Sequence, residues 1–357
     1  MNKKASYIFS ADVIRVIAIF GVLSIHIVDA INRRPDFFGD ISWWAGITID
    51  ALSRISIPLF ILLSGYFLLH KDESLTRSLK RTATRIFIPL LFWFLFYTWW
   101  YSRPLSLPNF DSSLVANLFS VNVYHLYFLI IMLGLYVTAP LLRTYLRATQ
   151  RTDHKKLMIL LLAVGILEVI GQYVLQRCSM DNIFTYWIPY SGLFVAGFVL
   201  GNEAQSIKNT KPLLIMYALG LIATIGFSYL HYLSLLNGIN FLGSDGCIAY
   251  YSDYYMSIPV FLMSLPAFML LLHFKYHFLQ KKYVAATIRS LSKASFGIYL
   301  SHLFILQILD HYNLFDPISP TWIYIIIKWL TILLLSYLFT VIVMKLPFVN
   351  RILGVSE

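Results

Sequence analysis

The sequence predicts an all-α polytopic membrane bundle of about ten transmembrane helices, and three observations carry that reading. The chain has 357 residues, of which 59% are hydrophobic and 13% charged. Its apolar residues collect into runs of roughly 20, the length needed to cross a hydrocarbon core about 30 Å thick. Its Lys and Arg residues fall in alternate connections between those runs. An ordinary soluble domain carries about 25% charged residues, which excludes a soluble enzyme. With 27 Phe, 24 Tyr and 8 Trp the chain is equally far from a disordered composition.

The apolar runs lie near 9–31, 45–69, 86–103, 123–142, 157–175, 184–201, 212–230, 254–274, 294–312 and 321–344. The first begins behind Lys3 and Lys4 as a signal peptide would, but Asp12 and Arg15 interrupt it and no small-residue cleavage site follows. It is read as a retained helix. In the second run Pro58 removes a backbone donor and predicts a kink, while Gly65 permits close approach of a neighbouring helix or a ligand. Asp50 and Arg54 stand four apart in the same run and can neutralise each other.

Of the 28 basic residues, only Arg33, Arg34, Arg103 and Arg177 lie on the opposite side from the rest, and Arg15, Arg54 and Lys328 sit within runs. The positive-inside rule then places both termini in the cytoplasm. Asp36, Asp40, Asp111, Asp181, Asp245, Asp253, Asp310 and Asp316 fall in outer connections, so the net charge of +11 is topological and does not imply nucleic acid. A single membrane domain over 1–357, with no appended soluble domain, accounts for the chain. Cys178 and Cys247 both fall in outer connections, where a disulfide and two unrelated thiols are equally compatible with the spacing; no metal framework is indicated.

Ionisable groups inside a bilayer are costly, about 2.5–3.5 kcal/mol at the centre on insertion scales, and point to function. The first run holds Asp12, Arg15, His26 and Asp29. At about 100° per residue, eleven residues return to within roughly 20° of the starting face, so Arg15 and His26 share a face about 16 Å apart along the helix. Asp29, three residues beyond His26, can accept its ring proton and orient it as a base. A histidine that merely hydrogen-bonds to a neighbouring helix would satisfy the same spacing.

After the second run, Arg77, Arg81 and Arg85 recur every four residues with Lys80 among them, a face suited to a polyphosphate. Arg143, Arg147 and Arg151 repeat that spacing as lipid-facing or orienting arginines would. His125 opens the fourth run and His302 lies within the ninth, either of them a possible polar packing group; Glu168 and Lys328 carry no assigned role.

Taken in order, these segments resemble the acyltransferase-3 family of membrane acyltransferases, especially the bacterial enzymes that O-acetylate lipopolysaccharide O-antigen and other surface glycans. The resemblance runs nearly end to end. It rests on Arg15 and His26 with ten residues between them, on Phe60-Ile61-Leu62-Leu63-Ser64-Gly65-Tyr66, and on Arg81-Thr82-Ala83-Thr84-Arg85-Ile86-Phe87-Ile88-Pro89. His125-Leu126-Tyr127-Phe128, the stretch from Ser191 to Gly201, and Ser295-Phe296-Gly297-Ile298-Tyr299-Leu300-Ser301-His302 add weaker matches.

The resemblance implies a multi-pass protein of the bacterial inner membrane that takes an acetyl group from cytoplasmic acetyl-CoA and transfers it to a hydroxyl of a surface glycan or lipid-linked sugar. It places catalysis on His26 and Arg15, with Asp29 added from its spacing, and with His26 either deprotonating the hydroxyl or accepting the acyl group itself. Arg81, Arg85 and Arg77 would hold the donor, with Ser64 and Tyr66 near the reacting carbonyl, and His125 and His302 would meet the substrate. No metal is implied. Some relatives fuse an extracellular esterase-like domain to this unit, and its absence here leaves acceptor transfer to the bundle or to another protein. Tyr250, Tyr251, Tyr254 and Tyr255 suit either sugar stacking or an interfacial aromatic belt. A secondary transporter or flippase whose path is lined by Asp12, Arg15, Asp50 and Arg54 is the alternative from the residues alone. Oligomeric state leaves no signature.

Overall fold

The computed structural model describes residues 8–32, 35–101, 124–174, 183–237, 254–312, 314–315 and 321–354. Among them every extended regular element is helical and there is no strand. In chain order the helices are α1 (Phe9–Asn32), α2 (Ile41–Ser53), α3 (Ser56–Leu69), α4 (Leu75–Thr82), α5 (Ile88–Tyr101), α6 (Tyr127–Ala148), α7 (Arg151–Val174), α8 (Ser191–Ala204), α9 (Lys211–Asn237), α10 (Ile258–His273), α11 (Lys282–His311) and α12 (Thr321–Lys345). Each of the ten apolar runs contains a helix. Six stretches are long and apolar enough to cross a membrane by those measures alone: Phe9–Asn32, Ile41–Leu69, Leu75–Tyr101, Tyr127–Ala148, Lys211–Leu233 and Ile323–Lys345. The protein is an all-α polytopic membrane protein.

Local chemistry explains where helices start and break. Asp40 caps α2 by accepting the Trp43 amide at 2.8 Å, and Ser257 caps α10 by accepting that of Val260. The predicted kink of the second run is a full break at Arg54–Ile55. Pro58 has no N–H for the Arg54 carbonyl and its ring crowds that oxygen, so α2 ends there and α3 restarts with Pro58 in its first turn. The third run begins earlier than its apolar boundary because the basic segment is itself helical. There α4 joins α5 through a π-helical turn at Ala83–Phe87, which shifts Arg85 off the four-residue repeat set by Arg77 and Arg81.

The chain forms two compact units. The first comprises Met1–Leu63, Leu200–Phe241 and Ala249–Phe339. Within it α1 packs against α2 and α11, and α9 packs against α10. Gly21 lets α1 meet the α2–α3 break, since a Cβ there would stand 2.1 Å from Ser56 Oγ and 3.3 Å from the Ser53 carbonyl. This close approach lies between Arg15 and His26 on α1. The Trp329 indole on α12 donates to Ser24 Oγ at 3.1 Å and its ring meets Phe20 edge-on, fixing another side of the same helix.

The second unit comprises Ser64–Val199, Leu242–Ile248 and Thr340–Glu357. Here Gly65 brings α3 against the backbone of α8: a Cβ at that position would lie 1.8 Å from the Phe194 carbonyl oxygen. Gly192 makes a similar approach to α7 at Leu161 and Leu162. The α4 helix packs on α6, and the Trp93 indole of α5 donates to the Ile352 carbonyl at 3.1 Å.

Candidate active site

In the first unit, α1 presents its polar groups to α11 at two levels. Near its start, Asp12 occupies the first turn, where the helix dipole favours a carboxylate. Arg15 Nη1 donates to Asp12 Oδ1 at 3.1 Å and to Ser292 Oγ at 3.4 Å, and Ser292 Oγ donates to Asp12 Oδ1 at 2.6 Å. Both Arg15 contacts are made through Nη1, and the Arg15 side chain keeps 34% exposure. The guanidinium is therefore partly open to its surroundings.

Eleven residues further along, the His26 ring lies 5.1 Å from that of His302, at an interplanar angle of 43°. Arg15 to His26 is about 16 Å of helix rise, and Ser292 to His302 about 15 Å. The two levels therefore match only if α1 and α11 run in the same direction side by side. That fixes Arg15 and His26 on one face, as the helical spacing predicts, and names the partner of that face. His302 is 1% exposed, whereas His26 is half-buried. The His302 ring is oriented by its own helix, because Nδ1 lies 2.7 Å from the Tyr299 carbonyl oxygen and must donate to it. Asp29 lies on α1 one turn beyond His26 and is half-buried.

In the second unit, the basic residues expected to hold phosphate divide into two kinds. Arg77 and Arg85 are exposed. Arg81 is turned inward, where its Nη1 donates to Glu73 Oε2, while its Nε and Nη2 are buried without partners. Arg143 is 3% exposed and donates to the other Glu73 oxygen at 2.8 Å and to Ser78 Oγ at 2.9 Å. Arg147 pairs with Asp72 at 3.0 Å and donates to the Lys71 carbonyl at 2.7 Å. Of the two readings of Arg143 and Arg147, lipid-facing or orienting, the lipid-facing one is thus corrected: both bind groups of the α3–α4 connection, which carries Asp72 and Glu73. Burial alone would push the Glu73 carboxyl up, but the hydrogen bonds and charges of Arg81 and Arg143 hold it below the usual carboxylate range. Burial and the charge of Arg81 lower the Lys71 ammonium, against a smaller opposing pull from Glu73.

The remaining candidates are placed as follows. Ser64 and Tyr66 are half-buried on α3, with the Tyr66 ring against Phe67 and His70; Gly65 between them meets a helix. His125 is 5% exposed and packs edge-on against Tyr97 at 4.9 Å. Arg54 binds Asp50 through two nitrogens at 2.8–2.9 Å and lies 6.0 Å from the Tyr255 ring. This pair neutralises itself in place, which removes two of the four charges invoked for a transport path. Lys328 is paired with Asp310 at 2.6 Å and Tyr324 at 2.9 Å. Cys178, Cys247, Tyr250 and Tyr251 lie outside the described residues. Among the described residues no cluster of three or more His, Cys, Asp or Glu is arranged for a metal. A cavity of about 310 Å³ in the second unit, walled by Phe87, Phe94, Gly134, Phe184 and Trp187 among others, is almost wholly apolar and contains no candidate residue.

The family model described as an acyltransferase domain, acyltransferase-3, matches residues 8–343. The chain belongs to the acyltransferase-3 family. Neither curated proteins nor solved structures gave a match. This acyltransferase is accordingly a multi-pass membrane enzyme, and the matched span includes every candidate residue above. Sequence reasoning did not find Ser292, Glu73 or the pairing of His302 with His26. Only Glu73 left a signal, as an acid beside a basic run.

Proposed function

We propose that this acyltransferase moves an acetyl group from cytoplasmic acetyl-CoA to a hydroxyl of a surface glycan, of the lipopolysaccharide O-antigen kind, across the bacterial inner membrane. The observation that carries the reading is the strip on α1 where a partly exposed Arg15 and a half-buried His26 both face α11. A guanidinium suits the anionic donor or the developing oxyanion of the tetrahedral intermediate, and an imidazole with pKa near 6.5 in water suits proton removal from a sugar hydroxyl. Arg77, Arg81 and Arg85 are assigned to the donor phosphates. Two donors of Arg81 remain without partners, and at its third nitrogen a phosphate would share the guanidinium with Glu73. Ser64 and Tyr66 are assigned to the reacting carbonyl, His125 to the acceptor, and Asp29 to orientation of His26.

In the reaction the hydroxyl oxygen bonds to the thioester carbonyl carbon as His26 takes the hydroxyl proton. Collapse of the intermediate breaks the C–S bond, and the departing thiolate takes that proton to give free CoA. Inside-out membrane vesicles loaded with lipopolysaccharide and given acetyl-labelled acetyl-CoA on the outside should incorporate label into glycan. His26→Ala should abolish incorporation while the protein remains folded. Transfer at the unchanged rate by His26→Ala would remove His26 from the chemistry, and label that never leaves CoA would remove acetyl-CoA as donor.

A further inference from the structure

We propose that the stacked rings of Phe38, Tyr229 and Trp44 form a subsite for the acceptor, in which a sugar ring of the glycan lies on the exposed indole of Trp44 and its hydroxyls donate to Asp40. The inference rests on the glycan-acylation reading above and names where that acceptor is held.

The fold of the first unit builds the platform. Phe38 comes from the turn before α2, Trp44 from the first turn of α2, and Tyr229 from α9, which packs on α2. The Tyr229 ring stands 5.8 Å from that of Phe38 at 12° and 5.4 Å from that of Trp44 at 18°, so the three planes are close to parallel. Trp43 is 0% exposed and meets Phe38, Trp44 and Tyr229 edge-on, which fixes the stack in place. Trp44 keeps 40% exposure, so part of this aromatic surface is open.

The chemistry selects the occupant. A sugar ring sets its C–H face on an aromatic plane while its hydroxyls seek polar groups at the rim. Asp40 is exposed and uses Oδ1 to accept the Trp43 amide at 2.8 Å in capping α2, which holds a carboxylate beside the stack with a second oxygen able to accept. A sugar hydroxyl can donate to that oxygen, and a lipid phosphodiester cannot. The rings of an interfacial lipid belt need neither the acceptor nor the mutual stacking.

The position fits the reaction. Gly46 of α2 lies against Asn32 of α1, where a Cβ would stand 2.2 Å from Oδ1, and Gly21 of α1 lies against Ser53 and Ser56, so α1 and α2 run antiparallel. From His26 to Asn32 is about 9 Å of rise, and from Gly46 back to Trp44 about 3 Å more in the same direction. Measured along α1, Trp44 therefore stands about 12 Å beyond His26, on the side away from Arg15. In the proposed orientation that is the outer side, so a glycan can rest one ring on the platform and bring a hydroxyl of a neighbouring sugar to His26.

The test uses the full-length protein in lipid nanodiscs and lipid-free O-polysaccharide released from the host cell's lipopolysaccharide. Titrated by saturation-transfer NMR, the unaltered protein should bind it saturably, Trp44→Ala should weaken Kd about tenfold, and Trp44→Phe, which keeps a ring, should stay within about threefold. Asp40→Asn keeps the helix cap and should weaken Kd about threefold. With acetyl-CoA added, Trp44→Ala should raise KM for the polysaccharide about tenfold, with kcat and KM for acetyl-CoA held within about twofold. Absence of saturable binding by the unaltered protein, or equal Kd values for it and Trp44→Ala, overturns the subsite. A loss that follows the lipid composition of the nanodisc and not the polysaccharide concentration marks the rings as a lipid belt and overturns it as well. If Trp44→Ala does not survive purification, Trp44→Leu is compared with Trp44→Phe, and equal Kd values overturn the inference. A protein that binds polysaccharide through Trp44 yet never uses acetyl-CoA would refute the proposed reaction and leave the subsite standing. Acetyl transfer at the full rate with binding indifferent to Trp44 would do the reverse.

Discussion

Replacing Glu73 with Gln keeps the shape of the side chain but removes the charge that balances Arg81 and Arg143. The three side chains are 7%, 12% and 4% exposed, so solvent can screen little of the loss. Breaking a buried pair by removing one partner costs about 3–5 kcal/mol, because the remaining charge stays buried without compensation. Here two guanidiniums lose one carboxylate. Since about 1 kcal/mol moves the midpoint of a domain of this size by roughly 2 °C, Glu73→Gln should lower Tm by about 5–10 °C at pH 7. Intrinsic tryptophan fluorescence of the detergent-solubilised protein during heating measures it. The pH dependence supplies a second arm. The folded carboxyl is held below its unfolded value of about 4.3, so its contribution is complete above that value and drains away as pH falls through the folded pKa. The gap in Tm between the unaltered protein and Glu73→Gln should therefore narrow below about pH 4. An unchanged Tm at pH 7, or a gap that widens in acid, would refute the account of this cluster.

Three further outcomes follow from the packing and the candidate chemistry. Gly65→Ala should destabilise by about 1–3 kcal/mol or more because its Cβ meets a backbone carbonyl, whereas Gly46→Ala meets the end of the Asn32 side chain and should cost less; paired melting curves of the two variants compare them. Arg15→Gln should raise KM for acetyl-CoA about tenfold, read in the vesicle assay, since it removes the positive charge of the partly exposed Arg15 from the α1 strip. The Tyr276 hydroxyl donates to the Leu271 carbonyl at 2.9 Å and burial pushes its pKa up to about 12. Tyr276→Phe should cost about 1 kcal/mol and delete a tyrosinate that appears near pH 12 in an alkaline absorbance titration.

Helix arithmetic made the α1 strip legible before any coordinates, because Arg15 and His26 are read against one axis with one repeat. Asp50 and Arg54 were legible for the same reason. The partners of that strip were not. Ser292 and His302 sit 277 and 276 residues away from Arg15 and His26, and no local periodicity encodes which faces of two distant helices meet. Arg143 shows the cost of reading spacing alone. Its four-residue repeat with Arg147 and Arg151 is that of lipid-facing or orienting arginines, yet Glu73, 70 residues away, draws it inward. The break in the second span was legible in its cause, Pro58, and not in its extent, since a missing donor kinks or ends a helix according to what packs beside it. Here Gly21 of α1 lies directly against the break.

The parallel pairing of α1 and α11 also bears on the topology. Two helices that cross a membrane in the same direction must have an odd number of crossings between them. Seven apolar runs separate the first from the ninth, which satisfies the rule, but two of their helices are short: α8 has 14 residues and α10 has 16, about 21 and 24 Å of rise against a core of about 30 Å. Were only one of them to fail to cross, parity would break and α11 would run against α1, setting Ser292 level with His26 and His302 level with Arg15. The observed partners are the reverse. With α7 crossing, either both short helices complete their crossings or neither does. Single cysteines placed in the α8–α9 and α9–α10 connections decide between these cases, since full crossing puts the first on the cytoplasmic side and the second outside. Labelling both from the same side of sealed vesicles would contradict the alternation.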